Sequence, residues 1–253
     1  KKAKESEGKP EISLGEFLDS IIQNEDLKLV LLGNLGYFHD DPYTISLNYY
    51  SVAQGSYFQG GGNFIRGGSQ KLSNYLSDLI ERNGGKVILK HLVTEIITEN
   101  GRAAGIRYIE TGNRNTQVHT AHGREIIANA AIPNVASKLL AEEYGRGMQQ
   151  QFDKLETGAS LLTMYFGFKK RAKDLGSKYY STFVFDDSIK TQADVKANNM
   201  ADFKSRSFTF IDYSQIDSGL TTGEKSVGAI CCIDYFSDWD QLSEEDYRTK
   251  KKL

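Results

Sequence analysis

The sequence predicts an α/β fold, α+β in part, and three observations carry that expectation. The first sixty residues are rich in helical periodicity, and a helix-period apolar stripe follows at residues 69–83 between two glycine turns. From Ser160 onward the character changes to long aromatic-rich runs separated by loops of Asp, Gly, Lys and Asn. No internal repeat or low-complexity tract interrupts this order.

Composition narrows the class. A chain of 253 residues can bury one large core or two modest ones. With 31 basic and 33 acidic residues the formal net charge is -2, so nothing pulls it toward nucleic acid. There is no run of eighteen apolar residues, and the start KKAKESEGKP has no signal-peptide core. The adjacent Cys231 and Cys232 lie in an apolar run, where neighbours in a strand face opposite sides; they read as reduced core residues, which fits a cytoplasmic protein, with a redox-active vicinal pair as the alternative.

Taken in order, residues 1–11 read as a charged, disordered tail. Ser13 and Glu16 form a capping box, with Ile12 and Phe17 as its hydrophobic staple, ahead of a helix whose apolar face is Leu14, Phe17, Leu18, Ile21 and Ile22. A second helix is expected over 26–32, stopping at Gly33. Ile45, Tyr49, Val52 and Ala53 suggest a third. The aromatic density from Leu27 to Phe58 fits a helical core, or else a tunnel or membrane-docking face for a lipid-like substrate.

The glycine segment that follows offers two phosphate-binding readings. Gly62-x-x-x-x-Gly67-Gly68-Ser69 has P-loop spacing, but Gly68 stands where the phosphate-gripping lysine belongs. A G-x-G-x-x-G fails at Ile65. The glycines therefore read as a tight entry to the helix carrying Leu72, Tyr75, Leu76, Leu79 and Ile80 on one face, capped by Ser69 and stopped by Asn83-Gly84-Gly85. Lys86 to Leu89 reads as a short buried strand.

Asn100-Gly101 then marks a two-residue hairpin between strands 93–99 and 103–110. Gly112 opens a second turn, and 116–121 and 125–130 read as further strands. His119-x-x-His122 does not converge two imidazoles from a strand and turn, so no metal site is expected. Pro133 suits the first turn of a helix. Strands are then expected at 160–168, 179–185, 207–213 and 226–235, as a mainly antiparallel sheet.

An ordered series of these elements resembles a known family. Gly67-Gly68-x-x-x-Leu72-x-x-x-Leu76, Gly84-Gly85-x-Val87, Val93-x-x-Ile96 and Gly105-Ile106 are similar to the middle of FAD-dependent oxidoreductases of the phytoene desaturase, carotenoid isomerase and retinol saturase group, with amine oxidases as more distant relatives. Leu220-Thr-Thr-Gly-Glu, Trp239-x-x-Leu242 and Tyr247-x-x-Lys250 resemble the desaturase and isomerase branch. The resemblance implies that residues 66–135 form part of an incomplete FAD/NAD(P)-binding layer, and that 12–65 with 136–253 form a substrate domain.

It further implies FAD as cofactor, with the Val93 backbone at the adenine and Gly67, Gly68 and Asn129 as further cofactor contacts. Tyr57, Phe58 and Tyr165 are the substrate candidates. The family's opening glycine fingerprint and closing flavin segment have no match, so the chain reads as a central fragment that is inactive alone and holds FAD weakly or not at all. In such enzymes the flavin takes or gives the hydride, and no catalytic residue is assigned here. The expected function is desaturation, saturation or isomerisation of an apolar polyene, with peripheral membrane contact as an added partner. Alternatives are an amine oxidase-like enzyme and a non-catalytic binding module. A polyene groove should be poor in charge, and alternation lets only one of Tyr165 and Phe166 reach it.

Overall fold

The computed structural model describes residues 11–112, 117–153, 155 and 157–252. The expected tail, except Glu11, and residues 113–116 of the expected turn and strand lie outside them. In chain order the elements are α1 (Leu14–Ile21), α2 (Glu25–Leu31), α3 (Leu47–Gly60) and α4 (Gln70–Arg82), then β1 (His91–Glu99), β2 (Arg102–Glu110) and β3 (Val118–His122). There follow α5 (Ile132–Asn134), α6 (Glu142–Phe152), β4 (Ser160–Phe168) and β5 (Ser181–Val184). The order closes with α7 (Asp194–Asn199), β6 (Phe208–Asp212), β7 (Ser226–Asp234) and α8 (Glu244–Lys250). This is the mixed α/β content that the sequence predicts. The chain divides into two compact units, one made of the residues up to Ser73 with those from Gly158, the other of Asn74–Thr157.

In the first unit the capping box forms as read. Ser13 Oγ accepts from the Glu16 N–H at 3.2 Å, and Glu16 Oε2 accepts from the Ser13 N–H at 2.9 Å. Leu14, Leu18, Leu29, Leu32 and Leu35 bury together, joined by Ile189 and Val195 from far along the chain. The third helix forms, but its expected face is wrong. Tyr49 and Val52 are exposed, Ile45 is buried ahead of the helix, and Tyr50 turns inward. The reason is polar: the Tyr50 hydroxyl donates to the Leu31 carbonyl at 2.7 Å, which makes burial of that ring affordable and of its neighbour unnecessary.

The sheet of this unit runs β4-β7-β6-β5, antiparallel throughout. The strand expected at 160–168 matches β4, and the other three are trimmed by one or two residues at their ends. β7 is the best buried strand, since it has a neighbour on both sides and packed residues above and below.

The second unit holds the antiparallel sheet β1-β2-β3. Asn100 (φ 49°) and Gly101 (φ 76°) form the expected hairpin turn. Ile96 is buried, as are Val135 and Ala136 just after α5, where Pro133 occupies the first turn. α6 comes so close to this segment that a Cβ on Gly145 would stand 2.0 Å from the Ala136 carbonyl oxygen. His119 lies opposite Tyr108 and stacks on it at 5.3 Å, while His122 lies opposite Gly105.

Two expectations are corrected here. Residues 86–89 and 125–130 form no strand, because no neighbouring strand among the described residues supplies a ladder; Ile88 and Leu89 are exposed rather than buried. α4 forms with the predicted stripe, yet Leu72, Tyr75, Leu76, Leu79 and Ile80 remain 45–60% exposed. Amphipathic periodicity reports which side of a helix is apolar, and leaves open what covers it.

Candidate functional site

Register sorts the residues of the β4-β7-β6-β5 sheet into two faces of different chemistry, because directly opposed residues share a face. Leu161, Thr163 and Tyr165 of β4 oppose Ile233, Cys231 and Ala229 of β7. Cys231 and Ala229 in turn oppose Thr209 and Ile211 of β6, which oppose Phe183 and Ser181 of β5. None of these side chains is charged. The other face carries Asp234 and Asp212 beside Phe166 and Phe210.

The segment between α2 and α3 lies on the uncharged face. The backbone at Gly36 lies close to β7, where a Cβ would make an ordinary contact with Ile233 at 3.7 Å. The Tyr37 ring meets Phe183 edge-on, with centroids 6.0 Å apart. A cavity of about 70 Å³ is left beneath, among Leu35, Tyr37, Leu161, Phe183, Thr209 and Cys231.

Beyond it the face becomes a cluster of tyrosines. Tyr213 packs against Phe64 at 5.3 Å and edge-on against Tyr180 at 5.8 Å. Burial pushes the pKa of Tyr37, Tyr180 and Tyr213 up, and for Tyr37 the neighbouring Ser181 and Thr209 hydroxyls act in the opposite sense. Nearby Tyr57 adds to the upward push on Tyr37 and Tyr180, and nearby Tyr165 to that on Tyr213. The phenols are therefore neutral around pH 7, and serve as donors on an apolar surface.

The opposite face is organised by one buried ion pair. Arg206 Nη1 lies 2.8 Å from Asp234 Oδ1, and Trp239 Nε1 donates to Asp234 Oδ2 at 2.6 Å. Trp239 continues into the tail motif, meeting Tyr247 edge-on at 5.5 Å under Lys250, whose Nζ is 4.7 Å from the indole centroid. Cys232 sits here with its thiol pKa raised by burial, while Cys231 faces the other way.

The sequence is 25% identical over 179 residues to an all-trans-retinol 13,14-reductase of Danio rerio, covering 70% of this chain and 29% of that protein. It is 27% identical over 196 residues to a chloroplastic prolycopene isomerase of Daucus carota, covering 77% of this chain and again 29% of the relative. The chain is related to retinol reductases and carotenoid isomerases. That bears out the resemblance read from its motifs. It spans less than a third of the length of these relatives. No family model matches it. A solved oxidoreductase from Methanosarcina mazei superimposes with a TM-score of 0.62 at 16% identity, over 95% of this chain and 50% of that one. At that identity the likeness speaks to the fold.

Among the residues singled out from sequence, Tyr165 and Tyr57 belong to the tyrosine-rich surface, 78% and 51% exposed. Phe58 follows Tyr57 at the end of α3, with ring centroids 6.0 Å apart. Phe166 points away from Tyr165, as alternation requires. Gly67 and Gly68 both take left-handed backbone (φ 89° and 87°), but their N–H groups donate to Ser218 O at 2.7 Å and Ile65 O at 2.8 Å. Val93 and Asn129 belong to the other unit: Val93 half-buried in β1 beside a register shift before Glu95, Asn129 exposed in the segment that forms no strand. Sequence reasoning missed Tyr37, Tyr180, Tyr213 and Thr209. The strand boundaries flanking Tyr180 and Tyr213 were a usable signal; nothing in the spacing around Tyr37 was.

Proposed function

We propose that this chain is part of a flavin-dependent oxidoreductase that desaturates, saturates or isomerises a polyene, and that the uncharged face of the β4-β7-β6-β5 sheet binds the polyene. The observation that carries this reading is the contrast between the two faces. One gathers neutral aromatic, aliphatic and hydroxyl side chains; the other holds the Arg206–Asp234 pair and Asp212. An apolar chain can lie on the first face without desolvating a charge. Similarity to a retinol reductase and a prolycopene isomerase supports the same choice.

FAD would supply the hydride chemistry when bound. In this reading residues 66–135 form its nucleotide layer, and 12–65 with 136–253 the substrate region. The Val93 backbone fits the adenine end, because the adjoining register shift loosens the ladder there. Gly67 and Gly68 fit as a place of close approach rather than as phosphate donors, since their N–H groups are already bonded. Asn129 would add an exposed amide. The chain's own residues bind and orient the polyene: Tyr165 and Tyr57 flank it, Phe58 extends the apolar surface, and the segment bearing Tyr37 excludes water at one end. The chain alone would be inactive. Loading a polyene from a membrane surface would require peripheral contact; among the described residues no helix is long and apolar enough to cross a membrane.

The tyrosine cluster also suits a cationic amine, which is the second reading. Turnover by the full-length, flavin-loaded enzyme on a carotenoid precursor, a retinoid and a polyamine separates the two. Polyene turnover is expected. Polyamine turnover without polyene activity would overturn the assignment, and binding of either ligand with no turnover would favour a non-catalytic module.

A further inference from the structure

We infer that residues 86–89 and 125–130 are two strands of an unfinished sheet, and that extended apolar segments of the parent polypeptide, outside these 253 residues, pair with them and cover the stripe of α4. This rests on the reading of the chain as part of a larger enzyme, and on nothing about its substrate.

The second unit is short of a core. Among its described apolar side chains only Ile96, Val135 and Ala136 are buried. Leu79 and Ile80 of α4 are 45% and 47% exposed, Ile88 and Leu89 54% and 76%, and Ile127 91%. A unit that folded as a complete domain would enclose side chains of this kind in a core of its own.

Whatever covers them must also satisfy the backbone. Val87-Ile88-Leu89 and Ile126-Ile127-Ala128 are unbroken apolar runs, the pattern of strands covered on both faces. Among the described residues, no N–H of 86–89 or 125–130 donates to a backbone carbonyl. A helix or a lipid surface laid over these runs would bury those donors without partners, so the occupant is itself extended. The first run also starts against the α4 stripe: the Gly85 N–H donates to the Ile80 carbonyl at 2.9 Å, and a Cβ on Gly85 would stand 2.6 Å from the Ile80 side chain. A layer that pairs with the run therefore meets the stripe as well.

Length and charge choose the source of that layer. The chain spans 29% of the reductase and isomerase relatives and 50% of the superimposed oxidoreductase, so a polypeptide of their kind has ample length beyond it. A second copy fits poorly. Lys86 and Lys90 bracket the first run, and pairing it in register with its own copy, parallel or antiparallel, sets lysine against lysine at both ends.

The test is hydrogen exchange by mass spectrometry on the 253-residue chain, at two concentrations, and on the full-length enzyme. In the chain alone the amides of 86–89 and 125–130 should exchange at nearly the unprotected rate at both concentrations. In the full-length enzyme they should slow by on the order of a hundredfold or more. Ile127→Asp gives an independent readout: it should leave the melting temperature of the chain within about 1 °C, as an exposed substitution does, and lower that of the full-length enzyme by several degrees. Equal exchange in the two proteins, or protection in the chain that grows with its concentration and so comes from a second copy, would overturn the inference. Neither readout involves turnover, so their failure leaves the substrate assignment standing, and failed polyene turnover leaves this inference standing.

Discussion

Removing the Asp234 carboxylate should destabilise the first unit far more than removing both members of its ion pair. The Arg206 and Asp234 side chains are 7% and 6% exposed, so neither can fall back on water. Arg206 also donates from Nε to the Ala201 carbonyl at 2.6 Å and from Nη1 to the Ile233 carbonyl at 3.1 Å, and its guanidinium lies 4.5 Å from the Phe203 ring centroid. Those contacts hold the guanidinium in place when Asp234→Ala deletes its nearer counter-charge, leaving only the more exposed Asp238 carboxylate 3.8 Å from Nη2, and the indole N–H of Trp239 loses its acceptor as well. A stranded buried charge costs about 3–5 kcal/mol. For a domain of this size that is a fall in Tm of about 6–20 °C. The double variant Arg206→Met with Asp234→Leu replaces the pair by apolar volume and should cost less than Asp234→Ala alone. Urea and thermal melts of the two single variants and the double close the cycle. Loss of under about 1 kcal/mol in Asp234→Ala, or a double variant as unstable as the sum of the singles, would refute the picture of a buried, mutually dependent pair.

Gly145→Ala should cost the second unit about 1–3 kcal/mol, because its Cβ would collide with the Ala136 backbone and no side-chain rotation relieves that. Gly147→Ala, whose Cβ meets nothing within 4 Å on the same helix, is the control and should be neutral or stabilising in urea melts. Asp19 has its pKa held below the ordinary 3.8, chiefly by its hydrogen bond from Lys28, with burial acting in the opposite sense. A carboxylate depressed on folding stabilises above its unfolded pKa and loses that contribution as pH falls through the folded value. Acid unfolding of Asp19→Asn should therefore be shallower below about pH 4 than that of the wild type; superimposable acid limbs would contradict this.

The four strands of the β4-β7-β6-β5 sheet were legible because each is a long β-favouring run closed by turn residues, which is local information. The hairpin at Asn100-Gly101 was legible for the same reason: both positions need positive φ. What failed depends on partners distant in sequence. Residues 86–89 have strand composition without a strand to pair with among the described residues. Tyr50 rather than Tyr49 faces the core because Leu31 offers a carbonyl in the right place. Gln192 looks like a surface residue, yet it is 1% exposed, since its amide donates to Gly15 O at 3.0 Å and to Asp19 at 2.7 Å. Of the candidate site, Tyr165 and its alternation with Phe166 came from β4 alone. The polar row of Thr163, Cys231, Thr209 and Ser181 appears only once the register of four strands is known.

That alternation supplies the most direct test of the central claim, that the uncharged face carries the polyene. Tyr165 and Phe166 are chain neighbours on opposite faces of β4, so a substitution at each asks the same question of the two sides of one sheet. The measurement is polyene affinity of the chain, by retinol fluorescence, for wild type, Tyr165→Ser and Phe166→Ser, with a thermal melt of each to correct for unfolded protein. Tyr165 is 78% exposed, so its loss should leave stability nearly unchanged while weakening binding about tenfold, the scale of burying one aromatic side chain against a ligand. Phe166→Ser should lower the melting temperature yet leave the affinity of the folded fraction within about twofold, less than one ordinary contact is worth. The reverse pattern, with affinity lost at Phe166 and retained at Tyr165, would place the ligand on the charged face and contradict the account.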